Sequence, residues 1–495
     1  MPAESHDDSA AATNVGRRHR AALIAIVLGF IVSRLLYEPM SVGTSTFSFR
    51  GDILSRAAGA LAGRNLDRAS VGNGMPLLDE RLLRGDLARS LWYLHSQPPL
   101  FNLAVAALLR LPGDFAVHYQ WLSWTMGLAL YLFTYALLIR IGCTESVAGA
   151  MVVVFMLLPN AMWLESAVYY GLPLACMLLF ATLAFDRALQ RGSMAWLAAA
   201  SVSIVAIVLT RAFFTAVWCA LLLALFATAF VKANGMRRGA VAAVLLPFLL
   251  VIAFQVKQYA LFRQTLGSSW FGCNLFTMTA GMRPEKARAL ADGKVSPLVN
   301  EYRNAPPETY MRYVHVAPTG IPALDETKKS TGQPNFNHQI YIPIGRVYLH
   351  DSLYLIAHAP HKYLLNVVNS LYLFAGYQIG LYFEAPSKFL PKWRWYELAA
   401  PFLGAPLIFI ALRHGIRRMR NTERDRALFA VMLFNIVYVI LVSCLFEKSE
   451  APVYRHQIEP YLWALLGSAL TAALPVIARL TSRAPRLPAT SDVRN

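Results

Sequence analysis

Between Leu77 and Asn102 the chain reads LLDERLLRGDLARSLWYLHSQPPLFN, which gathers carboxylates, a histidine and a rigid Pro-Pro into one non-membrane stretch of a largely apolar protein. A carboxylate at a membrane surface, its pKa raised by partial desolvation, can serve as a general base. Asp79 is the first candidate for such a base, with Glu80 and Asp86 beside it and His95 available to polarise a bound group or orient the base. The bland alternatives stand next to these. Asp79 would suit a helix start, Glu80 and Asp86 would pair with Arg84 and Arg89, and His95 would bond backbone at a helix junction.

Leucines 78, 82, 83, 87, 91 and 94 recur at helical spacing, which predicts one amphipathic helix with Asp79 and Asp86 on a shared face. Pro98 and Pro99 stop that helix and start the next, since proline suits a helix N-terminus and not an interior. Phe101 to Leu111 is too short to span and is expected along the interface.

The rest of the chain must hold this stretch at a membrane. Of 495 residues 56% are hydrophobic and 15% charged, with a mean hydropathy of +0.43, outside the soluble globular range. Continuous apolar runs reach the roughly 17 to 25 residues that a helix needs to cross hydrocarbon, and helices rather than a barrel follow from their continuity. The expected class is all-α and polytopic. About ten spans are read: Ala21 to Tyr37, His118 to Ile141, Ser146 to Trp163, Tyr170 to Ala188, Met194 to Thr210, Phe213 to Val231, Ala240 to Leu261, Ala399 to Leu412, Ala427 to Phe446 and Ile458 to Leu480. Tyr363 to Phe383 contains Asn366, Asn369 and Gln378 and is assigned as an interfacial helix, because the basic loops around Arg417 and Arg483 then both fall inside.

Residues 1–16 read as a disordered tail, 17–480 as one membrane domain and 481–495 as a cytoplasmic tail, with outer loops at 38–117, 262–398 and 447–457. Both termini are expected in the cytoplasm and the chemistry in the periplasm of a bacterial inner membrane. The net charge of +18 is spread over the ends of the apolar runs, so it reads as topology and excludes nucleic acid as the partner. Five scattered cysteines make no disulfide framework.

Other candidates are cations and sugar binders on the outer side. Arg211 stands where the positive-inside rule disfavours it; Lys257, Arg263, Arg455 and His456 lie at outer span ends. Asn335-Phe336-Asn337-His338 reads either as a sugar-binding surface or as a turn beside Gly332 and Pro334. Glu165 reads as a loop carboxylate that acceptor or metal binding would also suit, and Asp52 and Asp67 as surface residues. No metal-site spacing is present.

Asp79-Glu80 in the first outer loop, followed by His95-Ser96-Gln97-Pro98-Pro99-Leu100 at the start of the next helix, resembles the protein O-mannosyltransferase and lipid A aminoarabinose transferase branch of the GT-C glycosyltransferases. The resemblance covers about residues 20–260 in the order of spans and loops. It implies transfer of a sugar from a polyprenyl-phosphate donor to a glycan, lipid or protein acceptor hydroxyl, with inversion. It counts Gln97 among the substrate-binding residues, and it requires no cofactor while leaving a divalent cation possible. Cations are needed beside the leaving phosphate, which arginine suits best. A lipid-linked saccharide flippase would have as many spans but predicts charges at mid-membrane and broken helices.

Overall fold

A computed structural model of the chain describes residues 5–36, 77–166, 168–376, 393–448 and 450–482. Residues 1–4, Asp52, Asp67, the end of the Tyr363 to Phe383 run and the tail from residue 483 lie outside the described residues. The described part is helical, with one isolated antiparallel bridge between Lys328 and Pro334.

The helices are α1 (Ser5–Leu36), α2 (Glu80–Gly85), α3 (Leu87–Trp92), α4 (Leu100–Leu109), α5 (Phe115–Arg140), α6 (Glu145–Met156) and α7 (Pro159–Ser166). Next come α8 (Gly171–Arg191), α9 (Met194–Thr210), α10 (Ala216–Asn234), α11 (Arg237–Phe262), α12 (Phe271–Phe276) and α13 (Arg283–Ala291). The last are α14 (Tyr341–His358), α15 (Pro360–Gly376), α16 (Trp393–Arg418), α17 (Glu423–Phe446), α18 (Ala451–Arg455) and α19 (Glu459–Ser482). Among the described residues, α5, α8, α10, α11 and α17 are five helices long and apolar enough to cross a membrane, and the protein is an integral membrane protein. α8 lies deep in the bundle, whereas α11 shows Leu245, Leu246, Leu249, Leu250 and Val256 to its surroundings, as a lipid-facing helix does.

Local chemistry sets the ends. The Thr215 hydroxyl accepts from the Trp218 amide at 3.2 Å to start α10, and Thr422 accepts from Asp425 at 3.0 Å to start α17. Three sequence expectations change. The predicted 146–163 span breaks into α6 and α7, because Pro159 cannot continue a helix from Leu157-Leu158. The predicted helix through Asp79 and Asp86 breaks after Gly85, with Asp86 non-helical at φ −136° and ψ 50°, so the two carboxylates share no helix face. Residues 5–16 continue α1.

One end of the bundle is ionic. Arg140 bonds Asp186 at 2.8 Å and Asp425 at 3.3 Å, Arg424 reaches Asp186 at 3.4 Å, and Arg418 donates to the Ile141 carbonyl at 3.0 Å. The ends of α5, α8 and α16 and the start of α17 therefore lie together, as the basic loops require. α15 packs on α16, α17 and α18. Arg455 donates to the Phe374 and Ala375 carbonyls at 2.8 and 2.7 Å, which is cationic capping of the α15 C-terminus.

At the opposite end, residues 262–358 have a core of their own, built from Cys273, Phe276, Tyr310, Phe336, Tyr341, Ile344 and Tyr348. α12 crosses α14 at backbone contact: a Cβ on Gly272 would lie 1.9 Å from the Gly345 carbonyl oxygen, and one on Gly345 2.1 Å from that of Ser269. A Gly345→Ala substitution therefore forces the helices apart and is expected to cost about 3 kcal/mol. A lowered thermal midpoint in detergent and earlier proteolysis of residues 264–358 would register it; wild-type resistance would contradict the close packing.

Candidate active site

The stretch from residue 77 to 102 is fastened to residues 268–338. Both Asp79 carboxylate oxygens are engaged: Oδ2 accepts from the Ser330 amide at 2.7 Å, and Oδ1 from the Ser330 hydroxyl at 2.6 Å and the Arg81 amide at 3.0 Å. Arg81 pairs with Glu326 at 2.6 Å, and Arg89 donates to the Gly320 carbonyl. Glu80 pairs with Arg84 at 2.9 Å on an exposed face.

The His-Ser-Gln stretch is held still more tightly. His95 is fully buried, with Nδ1 2.8 Å from the Ser269 hydroxyl and Nε2 2.9 Å from the Asn337 carbonyl oxygen. A carbonyl only accepts, so Nε2 carries the proton and Nδ1 accepts from Ser269. Asn337 Oδ1 accepts from the amides of His95 and Ser96 at 3.0 and 3.2 Å. Lys257 donates to the Trp92 and Leu94 carbonyls at 3.0 and 3.3 Å, Gln258 to Leu94 at 3.0 Å, and Ser268 to the Ser96 carbonyl at 2.5 Å. Apart from the His95–Ser269 bond, the links named here run to or from backbone, which fixes the path of the chain through Ser96 and Gln97.

Those two, Ser96 and Gln97, open into a cavity of about 370 Å³. Arg211, Tyr170, Tyr454, Arg303, Asn274 and Glu447 are in its wall, and Trp270, Phe271 and Tyr438 supply aromatic surface. Arg211 is buried at the end of α9. Its Nη2 bonds Glu450 at 2.8 Å and the Tyr454 hydroxyl at 2.5 Å, its Nη1 the Tyr169 hydroxyl at 3.1 Å, and its guanidinium lies 3.9 Å from the Tyr170 ring centre. A charge so placed is stabilised by ring faces and one carboxylate. Arg303 donates to Asn274 Oδ1 at 3.0 Å and stands 3.5 Å from Glu447.

The cavity thus takes in two of the residues singled out from sequence, Gln97 and Arg211. Asp79, Glu80, Asp86 and His95 are not in its wall. Lys257 serves as a backbone tether, and Asn337 and His338 are buried, with Asn337 clamping the His95-Ser96 amides and His338 Nδ1 accepting from the Ile340 amide at 3.1 Å. The Asn335–His338 run is therefore a clamp, not an open sugar surface. Arg263 takes a left-handed backbone at φ 54° and lies exposed over the Tyr259 ring. Arg455 caps α15 and pairs with Glu459, and His456 is buried beside Phe155. Glu165 is no loop carboxylate. It is buried against Arg34 at 2.5 Å and the Tyr131 hydroxyl at 2.6 Å, where burial raises its carboxyl's neighbours' demand for pairing. No group of three His, Cys, Asp or Glu side chains suited to a metal occurs among the described residues.

Sequence reasoning passed over Glu447, Glu450 and Arg303. The available signal was two glutamates three apart in the short outer segment that begins at Glu447.

Burial lowers the His95 imidazole to about 3, with the charges of His338 and Lys257 adding to it. The folded chain keeps His95 neutral while the unfolded chain takes up a proton near 6.5, so this contribution to stability is complete above that pH and lost as pH falls below it. The expected loss is about 1.4 kcal/mol per pH unit down to about 3. Thermal midpoints at pH 7.5 and 5.5 should diverge less in His95→Gln than in wild type; equal divergence would mean that His95 is not the titrating group.

No protein-family model matches the chain, and no curated protein matches it. Among solved structures it is similar to the archaeal oligosaccharyltransferase AglB of Archaeoglobus fulgidus in complex with an inhibitory peptide and a dolichol-phosphate, at 14% identity and a TM-score of 0.43. That match covers 96% of this chain and 52% of the other, so the chain spans about half the length of that protein. It is also similar to ArnT of Cupriavidus metallidurans bound to undecaprenyl phosphate, at 13% identity and a TM-score of 0.30, covering 94% of this chain and 80% of the other.

Proposed function

We propose that this protein is a membrane glycosyltransferase that moves a sugar from a polyprenyl-phosphate donor to an acceptor hydroxyl at the outer membrane surface, with inversion. One observation carries the reading: a single cavity holds a buried guanidinium, a motif amide and two carboxylates between aromatic walls, beside helices suited to a lipid bilayer.

Arg211 is the group for the donor phosphate. Its planar fork matches phosphate oxygens and answers the negative charge that grows on the leaving group. Glu450 is its counterion, displaced in part when phosphate arrives. Gln97 and Ser96, fixed by the His95–Asn337 clamp, bond the sugar or the phosphate.

Inversion needs a base on the face opposite the leaving group. Glu450 pairs with Arg211, and we assign that task to Glu447, the other carboxylate in the cavity wall, which pairs with Arg303. The acceptor O–H gives its proton to the Glu447 carboxylate, the acceptor oxygen bonds the anomeric carbon, and the bond from that carbon to phosphate oxygen breaks. Polyprenyl phosphate leaves with the electron pair.

The stereochemistry tests this directly. Purified protein in nanodiscs, given radiolabelled polyprenyl-phosphate sugars of known anomeric configuration, is expected to yield product of the opposite configuration. Retention would require a covalent intermediate and would overturn the single-displacement step.

A further inference from the structure

The proposed base sits where the chain has no helical frame. α17 ends at Phe446, Glu447 is extended at φ −147° and ψ 124°, and α18 begins only at Ala451. A reacting group must be held within about 0.5 Å of its productive place, so whatever fixes the backbone on either side of Glu447 governs the proposed proton transfer.

Three ties fix it, and each reaches it from a residue outside the cavity wall. On the α17 side the Tyr363 hydroxyl of α15 donates to the Leu445 carbonyl at 3.1 Å. On the other side the Lys448 amide donates to the Thr277 hydroxyl oxygen at 3.1 Å, and the Lys448 ammonium to Asn366 Oδ1 of α15 at 2.7 Å. Thr277 and Asn366 are themselves anchored. The Thr277 hydroxyl donates to the Asn274 carbonyl at 2.7 Å, and the amide of buried Asn366 donates to the Met278 and Ala280 carbonyls at 2.9 Å each. One hydroxyl thus joins two parts of the wall, through the backbone of Asn274 and of the residue that follows Glu447. α15, the turn at 277–280 and the segment bearing Glu447 are tied into one unit.

Resting on the reading of Glu447 as the base, we infer that Thr277, Asn366 and Lys448 are positioning residues for the transfer step. None of the three is in the cavity wall, so they act through the carboxylate whose backbone they hold. The donor site is held separately. Glu450 accepts from the Val453 and Tyr454 amides at its carbonyl, at 2.9 and 3.1 Å, and from the Tyr454 hydroxyl at its carboxylate, at 2.9 Å. Loosening the Glu447 ties should therefore slow chemistry and spare donor binding.

Full-length variants are assayed in detergent with the radiolabelled polyprenyl-phosphate sugar that wild type transfers best to crude membrane acceptors, with rates taken per folded molecule from size exclusion. Thr277→Val removes the hydroxyl and keeps the shape of the side chain; Lys448→Met removes the ammonium. Each is expected to lower kcat by about ten- to a hundredfold and to leave the apparent donor KM within about twofold of wild type. Thr277→Ser, which keeps the hydroxyl, should restore most of kcat. Neither Thr277→Val nor Lys448→Met should lower the residual rate of Glu447→Gln further, because a residue that acts through the carboxylate has nothing left to position. Wild-type kcat in both single variants, an additive loss on top of Glu447→Gln, or a donor KM that rises in step with the fall in kcat would overturn the inference. Full activity in Glu447→Gln, or no transfer from any donor by folded wild type, would instead overturn the proposed reaction and this inference with it.

Discussion

Arg211→Gln is expected to lower glycosyl transfer by about 10²- to 10³-fold, because a preorganised cation at a developing phosphate charge supplies about 3–4 kcal/mol of transition-state stabilisation. Apparent donor affinity should fall with it, and acceptor affinity much less. The substitution leaves Glu450 bonded to the Tyr454 hydroxyl at 2.9 Å and partly exposed, so the outer end of the bundle keeps its fold. Arg211→Lys should recover only a fraction, since a point charge cannot reproduce the fork that meets Tyr169, Tyr454 and Glu450 together. Steady-state kinetics over a donor series would show it. Unchanged donor affinity in Arg211→Gln would place the phosphate elsewhere.

The second large effect separates two carboxylates. Glu447→Gln should reduce turnover by about 10²- to 10⁴-fold, the range for loss of a general base, with donor binding intact because Arg211 is untouched. Asp79→Asn should act on stability instead. It removes a charged acceptor from the Ser330 amide and hydroxyl, bonds of 2.7 and 2.6 Å, at a cost of about 1.5–3 kcal/mol. Turnover per folded molecule should survive. The two variants, assayed side by side with folded fraction measured by size exclusion, give opposite patterns. Inactive but well-folded Asp79→Asn, with active Glu447→Gln, would return the base to the first outer loop.

These two carboxylates also mark what the sequence could and could not convey. The stretch around His95 stands out because charge and Pro-Pro are rare in so apolar a chain, and Gln97 does reach the cavity. Arg211, singled out by the charge rule, lines the same cavity. Helical class and the strongest spans followed from run length alone. Roles were harder. Asp79, Lys257 and Asn337 have the residue types of a site, yet their partners are Ser330, the Trp92 carbonyl and the His95 amide, which spacing along the chain does not reveal. Glu447 pairs with Arg303, which the folding of residues 262–358 brings to it. Glu165 misled for the same reason: its partner Arg34 comes from the first helix.

The interior charges bear on how such a protein works. Arg34, Glu165 and Tyr131 form a closed buried cluster, and Arg140 with Asp186 closes another at the far end of the bundle. The cavity with Arg211 and Arg303 is a third group, and it alone of these three combines ionic pairs with space for a ligand.

The most direct test is whether the protein breaks the bond between sugar and phosphate or only moves the intact lipid. Protein reconstituted in liposomes would be given a panel of radiolabelled polyprenyl-phosphate sugars with crude membrane acceptors. Release of free polyprenyl phosphate and appearance of label on an acceptor, both lost in Arg211→Gln, is the predicted result. Folded protein that transfers label across the bilayer while every donor stays intact would contradict it and identify a flippase.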